Sequence, residues 1–249
     1  MKLGIENKIA LVTGGSKNIG KFIAKSLALE GARLIIVSRD TESIRDEMQI
    51  DDEQHFFYNV DLMSTDGPGL LIQFIKDNDC WPDIAIHNLG GGLNIRDTFS
   101  NTGDWEKVWR YNLGIGHELN CAVLPKMIEK GWGRVVHLST LATVTCEGNA
   151  AYLSAKCALE GYVKRVSRDV SGHNVIMNAV APGLVEIEDR YFSQIAKKDP
   201  EFIENYYDNH LPIRRMCQPE EVGNLVAFMC SEHSAYMPGA IVRIDGGGH

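Results

Sequence analysis

Short apolar runs rich in β-branched residues alternate along the chain with segments of helical periodicity. The runs predict strands at Ile9–Val12, Arg33–Val37, His55–Val60, Ile84–His87, Arg134–Leu138, Asn174–Val180 and Ile241–Ile244. The segments between them predict helices at Ile19–Glu30, Glu42–Met48, Leu70–Lys76, Asp104–Lys130, Ala150–Ser171 and Pro219–Cys230. Strands that are apolar throughout are typical of a parallel sheet covered by helices on both faces. The pattern therefore predicts a doubly wound α/β fold with a mostly parallel sheet of about seven strands.

One segment, residues 184–215, interrupts this alternation. It holds helical patches, several aromatic residues and an acidic cluster of Glu186, Glu188 and Asp189. Two interpretations stay open, a lid over a substrate pocket and a surface helical pair that packs on its own aromatic side chains. We find no repeat, low-complexity tract or linker, so the 249 residues are predicted to form a single domain.

The composition argues against several functional classes. A formal net charge of −8 disfavours nucleic acids and anionic membranes as partners, because both require a basic surface. No apolar run approaches the roughly 20 residues that span a bilayer, and the first residues lack the hydrophobic core of a signal peptide. The six cysteines lack the paired spacing of a metal site. We therefore expect a cytoplasmic protein with buried, reduced thiols and no bound metal.

A glycine-bearing turn directly follows the first predicted strand. It covers residues 13–20, with the sequence TGGSKNIG, and leads into a predicted helix. Glycines let the backbone approach a pyrophosphate, and the helix N-terminus offers free N–H groups and the positive end of its dipole. A position between a strand and a helix is the context that a dinucleotide-binding turn requires.

A tyrosine and a lysine four residues apart, Tyr152 and Lys156, lie in a predicted helix. One helical turn separates them, so both side chains project from the same face. A lysine ammonium beside a phenol stabilises the phenolate and makes the phenol a better acid near neutral pH. Together with the glycine turn, with Asn112 and with the hydroxyl pair Ser139 and Thr140, this spacing indicates a nicotinamide-dependent carbonyl reductase or alcohol dehydrogenase.

The chain resembles the short-chain dehydrogenase/reductase family over nearly all of its length. The family's glycine motif, Thr-Gly-x-x-x-Gly-x-Gly, is matched at Thr13, Gly14 and Gly20, whereas Asn18 replaces the middle glycine. Asparagine tolerates the left-handed backbone better than most residues, so we expect the turn to persist. Further matches are Asp61 in Asn59-Val60-Asp61-Leu62, Asn88 and Gly90 in His87-Asn88-Leu89-Gly90, Asn112 in Tyr111-Asn112-Leu113, the segment 178–183, Pro219-Glu220-Glu221 and Asp245-Gly246-Gly247. The resemblance is to the branch that contains 3-oxoacyl reductases, and it implies a Rossmann fold and an NAD(P)-dependent reaction at a CH–OH or C=O group.

The resemblance also implies the residues of the cofactor site, with Asp61 at the adenine. They are Gly14, Ser16, Lys17, Asn18, Ile19, Gly20, Ser38, Arg39, Asp61, Leu62, Asn88, Gly90, Tyr152, Lys156, Pro182, Gly183 and Val185. Two further positions depart from the family pattern. Leu89 is bulkier than the usual alanine, and Ile187 replaces a threonine, which removes one hydrogen bond to the cofactor.

The end of the second predicted strand distinguishes the two nicotinamide cofactors. An acid there accepts from the ribose 2′-hydroxyl of NAD(H), whereas an arginine accommodates the 2′-phosphate of NADP(H). This chain has Arg39 there, with Ser38 to hydrogen-bond the phosphate and Lys17 as a second positive charge. Asp40 would serve a ribose if the register slipped by two residues, and the two basic residues would then be ordinary surface charges. We expect NADP(H), with NAD(H) as the alternative cofactor.

The resemblance assigns roles to the catalytic set. Tyr152 is the acid/base that protonates the carbonyl oxygen as hydride arrives, Lys156 lowers the pKa of the tyrosine and holds the nicotinamide ribose, and Asn112 holds a water that links the lysine to solvent. The substrate-orienting hydroxyl stays open. Counting back thirteen residues from Tyr152 gives Ser139, which is slightly preferred, whereas counting along the fifth strand gives Thr140. Only one of these neighbours can face the substrate, because strand neighbours point to opposite sides.

The substrate class is the least determined feature. If Glu147 and the acids of segment 184–215 face the pocket, they suit a small polar, polyhydroxylated or cationic substrate. Ordinary solvated surface acids explain the same residues and are the preferred interpretation. The four-residue Tyr–Lys interval favours a carbonyl or alcohol over a carbon–carbon double bond, since the enoyl reductases of the family typically have a longer interval.

Two broader expectations complete the sequence interpretation. The alternative to an enzyme is a non-catalytic cofactor-binding or scaffold protein on the same fold, because fold does not dictate function. The long helices at 104–130 and 150–171 carry apolar residues on more than one face. One face covers the sheet and a second can pair with another subunit, so we expect a homotetramer or homodimer.

Overall fold

The computed structural model describes residues 1–48, 55–188 and 191–248. In these residues seven strands form one parallel sheet in the order β3-β2-β1-β4-β5-β6-β7. The strands are β1 Ile9–Thr13, β2 Arg33–Ser38, β3 Phe56–Asn59, β4 Ile84–His87, β5 Gly133–Leu138, β6 Val175–Pro182 and β7 Ile241–Ile244. The predicted doubly wound fold is confirmed. The strand order reverses between β1 and β4, and such a switch point opens a ligand crevice at the carboxyl ends of the strands.

Helices cover both faces of the sheet. They are α1 Asn18–Leu29, α2 Glu42–Met48, α3 Gly67–Asp77, α4 Thr102–Trp109, α5 Ile115–Lys130, α6 Ala142–Thr145, α7 Ala150–Val170, α8 Tyr191–Lys198, α9 Pro200–His210 and α10 Pro219–Met229. On one face α1 and α10 pack closely, because Gly223 lets the helices meet: a Cβ there would lie 2.7 Å from the backbone oxygen of Phe22. The other face is covered by α3, α5 and α7, whose apolar side chains fill two further clusters.

The predicted continuous helix Asp104–Lys130 is wrong in one respect. The structure divides it into α4, a π-helical turn at Arg110–Gly114, and α5. The cause lies in Asn112, whose Nδ2 donates to the backbone oxygen of Val108 at 2.8 Å and so competes with the regular helical pairing of that carbonyl. Such turns are often found at functional sites.

Segment 184–215 forms the two consecutive helices α8 and α9, which pack against each other. The ring centroids of Phe192 and Tyr206 are 4.9 Å apart. A short bridge pairs Val185 with Cys217, so the chain leaves and rejoins the domain at neighbouring points. Asp189, the third residue of the acidic cluster, lies outside the described residues.

The expectation of buried thiols is wrong for half of the cysteines. Cys80 and Cys230 are buried, whereas Cys121, Cys146 and Cys157 are exposed, and all six are free. Cys121 and Cys157 lie on α5 and α7, where the sheet covers only one of the two apolar faces of each helix. Among the described helices, none combines the length and the apolar character that crossing a membrane requires.

Candidate active site

A cavity of about 660 Å³ opens at the carboxyl ends of the strands, beside the switch point. Most of the predicted site residues line it, namely Gly14, Ser16, Lys17, Asn18, Ile19, Ser38, Arg39, Asp61, Leu62, Asn88, Gly90, Ser139, Thr140, Tyr152, Pro182, Gly183 and Val185. Gly20, Asn112 and Lys156 stand behind this lining and support it. Sequence reasoning did not assign Val37, Val60, Met63 and Tyr111 to the site, although they also line the cavity. Each of the four is the direct chain neighbour of a predicted site residue, which was the available signal.

The glycine turn has the backbone that its sequence requires. Gly14 and Asn18 have φ values of 63° and 52°, both in the left-handed region, so asparagine does replace the family's middle glycine in this conformation. Gly20 is required by close packing, because a Cβ there would lie 2.2 Å from the backbone oxygen of Gly14. The N-terminus of α1 therefore faces the cavity directly behind the turn.

Asn88 fastens the end of β4 to this turn. Its Nδ2 lies 3.2 Å from the backbone oxygen of Thr13 and 3.1 Å from that of Gly14. Its backbone N–H donates to Thr13 Oγ1 at 3.1 Å. The two strands on either side of the switch point are thus joined where a dinucleotide would cross them.

The polar end of the cavity lies beyond β2. Ser16 Oγ donates to Ser38 Oγ at 2.8 Å, which links the glycine turn to the strand end that carries Arg39. Lys17 Nζ is 3.8 Å from Asp40 Oδ2. The other carboxylate oxygen of Asp40 accepts from the backbone N–H of Glu42 at 3.1 Å, so this acid serves the start of α2.

Tyr152 and Lys156 project from the first two turns of α7. Asn149 begins the helix, because its Oδ1 accepts from the backbone N–H of Tyr152 at 2.9 Å. Lys156 is only 2% exposed, and its Nζ donates to the backbone oxygen of Leu138 at 2.6 Å. The same Nζ lies 5.8 Å from the ring centroid of Tyr152. The ammonium group is therefore held between the end of β5 and the tyrosine that lines the cavity.

Burial lowers the pKa of Lys156 to about 7, and the negative charge of Glu160 opposes this shift. A lysine in this state changes its charge within the neutral range, which is typical of functional sites.

Asn112 acts through its side-chain amide on the loop after β4. Its Oδ1 accepts from the backbone N–H of Gly91, and its Nδ2 donates to the Gly91 oxygen, both at 2.9 Å. With the bond to Val108, these contacts use both N–H groups of the amide and one acceptor site of its oxygen in positioning backbone. A Cβ on Gly90 would lie 2.7 Å from both Asn112 Oδ1 and Lys156 Nζ, so glycine is needed where the loop meets the lysine. The water-holding role of Asn112 stays a prediction.

The hydroxyl groups of Ser139 and Thr140 point in different directions, as expected for neighbouring residues. Ser139 is 6% exposed, and its Oγ donates to Glu160 Oε1 at 2.7 Å, towards α7. Thr140 is half-buried, and its Oγ1 accepts from the backbone N–H of Ala142 at 3.3 Å. Because that contact leaves the hydroxyl proton of Thr140 for a substrate, the geometry favours Thr140 over the slightly preferred Ser139.

A buried polar cluster beneath the catalytic helix escaped sequence reasoning. His87 Nε2 and Asn120 Oδ1 are 2.8 Å apart, and Asn120 Nδ2 lies 3.2 Å from His137 Nε2 and 3.1 Å from Tyr162 Oη. Burial lowers the pKa of His87 to about 4 and that of His137 well below its usual value. Both rings are therefore neutral at pH 7, so neither histidine places a positive charge beside Lys156.

Like Asn18, the two further departures from the family pattern lie at the cavity. Leu89 and Ile187 line it, and Ile187 is 8% exposed. Leu89 packs on the glycine turn, since a Cβ on Gly14 would lie 3.0 Å from its Cδ2.

The acids that the sequence placed near the pocket differ in their surroundings. Glu186 accepts from Gln218 Nε2 at 2.6 Å, and Glu188 is exposed. Glu147 is exposed too, but it lies near Tyr206 of α9, where burial and then this acid raise the pKa of the phenol. Glu147 and Glu186 thus both lie close to α9, since Glu186 likewise raises the pKa of Tyr207 after the larger effect of burial.

Comparison with known proteins gives concordant results. The family model described as "Enoyl-(Acyl carrier protein) reductase" matches residues 14–249. The 3-oxoacyl-[acyl-carrier-protein] reductase FabG of Aquifex aeolicus is 30% identical over 255 residues, covering 99% of both chains. Among solved structures, L-sorbose reductase from Gluconobacter frateurii, complexed with NADPH and L-sorbose, superposes with a TM-score of 0.89 at 26% identity, covering 100% of this chain and 98% of that one.

A second solved structure agrees with the first. The 3-oxoacyl (acyl-carrier-protein) reductase from Agrobacterium tumefaciens with NADP bound has a TM-score of 0.89 at 27% identity, covering 99% of this chain and 96% of that one. The family model, the relative and the superposed structures all span the switch-point cavity and the catalytic helix described above. The chain belongs to the short-chain dehydrogenase/reductase family of oxidoreductases.

Proposed function

We propose that this protein is an NADP(H)-dependent oxidoreductase that interconverts a ketone and a secondary alcohol, with Tyr152 as acid/base. One observation carries the proposal: a single cavity joins the basic end at Lys17 and Arg39 to the hydroxyl groups of Thr140 and Tyr152, with a buried lysine behind the tyrosine. This is the arrangement that hydride transfer coupled to proton transfer requires.

The residues present fit a nicotinamide dinucleotide. The glycine turn and the N-terminus of α1 offer backbone N–H groups for the pyrophosphate, and Asp61 and Leu62 line the part of the cavity that suits the adenine. When bound, the nicotinamide supplies or accepts the hydride, which is chemistry that no side chain can provide.

Support for NADP(H) over NAD(H) comes from the polar end of the cavity. Arg39, Ser38 and Lys17 line it and suit a 2′-phosphate, whereas the Asp40 carboxylate is held by Lys17 and by the backbone of α2. The two superposed reductases carry NADPH and NADP in their structures.

Each catalytic side chain has a separate task. Thr140 donates to the substrate oxygen and orients it towards Tyr152, which donates the proton as charge develops on that oxygen. Lys156 stabilises the phenolate that remains, and its contact with the Leu138 oxygen fixes its position. Asn112 and Gly90 keep the loop after β4 clear of the ammonium group.

The four-residue interval between Tyr152 and Lys156 supports a carbonyl substrate rather than a carbon–carbon double bond. Relatives and neighbours are named for 3-oxoacyl chains and for L-sorbose, so the substrate panel has to contain both acyl and polyhydroxylated ketones. A small polar or cationic ketone stays our proposal, with Glu147 as one acid that would face it. We further propose that α8 and α9 close over the bound substrate, hinged at the bridge between Val185 and Cys217.

The test is NADPH oxidation with this ketone panel, together with an enoyl thioester, for the wild type and for Tyr152→Phe. We expect turnover of at least one ketone, and a loss of about 100-fold or more in the variant, because a general acid contributes at least this much. Binding of NADPH, followed by fluorescence, is expected to persist in the variant. Near-normal turnover by Tyr152→Phe would overturn the mechanism. Turnover of the enoyl thioester alone would move the reaction to double-bond reduction, and no turnover with any substrate would favour a binding or scaffold protein.

A further inference from the structure

Glu160 is an acid of the catalytic helix to which none of the steps above assigns a task. It lies four residues after Lys156, so Tyr152, Lys156 and Glu160 are stacked along one face of α7 at successive turns. Its side chain is half-buried and points towards the end of β5 rather than into solvent. An acid in this position needs an explanation, because burying a carboxylate costs free energy unless it is paired.

One carboxylate oxygen of Glu160 holds residues on both sides of Thr140. Ser139 Oγ donates to Oε1 at 2.7 Å, and Thr143 Oγ1 lies 2.8 Å from the same oxygen. Thr143 Oγ1 also lies 3.0 Å from the backbone oxygen of Thr140, so the hydroxyl fastens α6 to the residue that faces the substrate. The segment 139–143 is thereby tied to the helix that carries the acid/base.

The same residue places a negative charge one turn beyond Lys156. That charge favours the protonated lysine and works against the burial that removes its charge. The groups that face Lys156 are Tyr152 and Glu160 on its own helix, His137 on β5 and the amide of Asn112 on the π turn. Burial lowers the pKa of His137 well below its usual value and keeps the ring neutral, so Glu160 is the opposite charge in this set. Cys157, which Glu160 also influences, lies on the exposed side of α7.

We propose that Glu160 is a positioning residue of the active site: its Oε1 clamps both flanks of Thr140, and its charge supports the ammonium group of Lys156. The inference rests on the function proposed above and deepens it by adding Glu160 to Tyr152 and Lys156 as a third turn-spaced group on α7. It also assigns the hydroxyl of Ser139 to structure rather than to substrate.

The test separates the clamp from the charge with two variants. Glu160→Gln keeps an oxygen acceptor and removes the charge, whereas Glu160→Ala removes both. Asp169→Asn is the matched control, because Asp169 is an exposed acid of the same helix that pairs with Arg165 at the surface. Each protein is assayed for kcat and KM against pH with NADPH and the best ketone, and the cofactor-free protein is unfolded with urea at several pH values.

Glu160→Gln is expected to move the alkaline limb of kcat/KM to lower pH by about one unit, because an opposite charge at close range shifts a pKa by about this much. Glu160→Ala is expected to show this shift and, in addition, a fall of about tenfold in kcat from a misplaced Thr140. Asp169→Asn is expected to match the wild type in both readouts.

Unfolding of the cofactor-free protein tests the charge without any turnover, so it remains decisive even if no ketone is reduced and the proposed function fails. In Glu160→Gln the free energy of unfolding is expected to begin its rise with pH at a lower pH than in the wild type. This difference between Glu160→Gln and the wild type is expected to vanish when both also carry Lys156→Met. The proposal is overturned if Glu160→Gln leaves both pH profiles unchanged, or if its effect persists in the Lys156→Met background. If Glu160→Ala keeps the kcat of the wild type, Glu160 does not hold Thr140 in position, and that part of the proposal is wrong.

Discussion

At the scale of single residues, the buried ammonium of Lys156 is the least favourable group of the site for folding. It is 2% exposed and is held by one backbone oxygen, and burial brings its pKa to about 7. An unfolded lysine titrates near about 10.4, so between these two values the unfolded chain binds more protons than the folded one. The free energy of unfolding therefore rises with pH across this window.

Replacing this residue tests that cost. Lys156→Met keeps a flexible apolar chain and removes the charge, so we predict a more stable cofactor-free protein at pH 7, since one pKa unit corresponds to about 1.4 kcal/mol. We also predict that the rise in stability between pH 7 and 10 becomes smaller than in the wild type. Urea unfolding across this range measures both effects. Parallel pH profiles for the two proteins would show that the lysine keeps its ordinary pKa when folded.

The substrate-facing hydroxyl is a second question at this scale. Thr140→Val and Ser139→Ala each remove one hydroxyl with little change of shape. We predict that kcat falls at least about tenfold further in Thr140→Val, because a lost hydrogen bond to a developing oxyanion costs about 100-fold or more. Steady-state kinetics with NADPH measures the difference. A larger loss of kcat in Ser139→Ala would show that Ser139, thirteen residues before Tyr152, is the hydroxyl that faces the substrate.

The ambiguity between Ser139 and Thr140 shows what sequence reasoning cannot determine for single residues. Tyr152 and Lys156 follow from a spacing within one helix, which local geometry determines. The choice between Ser139 and Thr140, which follow β5, depends on which neighbour turns towards Glu160 on α7. That contact is tertiary, so it leaves no local pattern in the sequence.

At the scale of elements, the strand patterns were informative because both faces of the sheet are buried. The predicted β4 and β7 have the observed bounds, and the other strands differ by at most two residues at either end. The π turn at Arg110–Gly114 could not be predicted, because helical periodicity over a long segment is insensitive to one widened turn. Its cause, the bond from Asn112 to Val108, is itself tied to the loop at Gly91.

The meeting of the π turn, the loop after β4 and α7 provides a steric test. Gly90→Ala would place a methyl group 2.7 Å from Asn112 Oδ1 and Lys156 Nζ, two atoms that other hydrogen bonds hold in place. We predict that kcat falls by about tenfold or more, since small misplacements of catalytic groups are costly.

Gly69→Ala is the control for this substitution, because a Cβ at Gly69 in α3 meets nothing within 4 Å. We expect it to keep full activity and to gain up to about 1 kcal/mol in stability from the better helix former. Equal activity of the two variants would show that the loop at Gly90 can yield without disturbing the lysine.

At the scale of the whole molecule, topology places the site. The sheet order reverses between β1 and β4, and the glycine turn, Asn88 and the catalytic helix all lie around that point. The sequence predicted this arrangement because strands, helices and motifs follow one another along the chain in the order of a doubly wound fold. Substrate identity does not follow in the same way, since it depends on the proposed closure of α8 and α9 over the cavity.

Assembly belongs to this scale too. The homotetramer or homodimer stays a prediction, and exposed groups on the outer faces of α4, α5 and α7 are compatible with it. Trp109 is 39% exposed, and its indole N–H donates to Ser154 Oγ at 3.2 Å, which joins α4 to α7 on that side of the molecule.

The most direct test of the central claim is thermal unfolding in the presence of NADPH or NADH, for the wild type and for Arg39→Ala. A ligand at 100 times its Kd adds about 2.7 kcal/mol to the stability of the folded state, which raises the Tm by several degrees. The account predicts a clear rise with NADPH, a smaller one with NADH, and loss of the difference in Arg39→Ala. A protein whose Tm responds to neither nucleotide would contradict the account, because the cavity at the switch point would then not be a dinucleotide site.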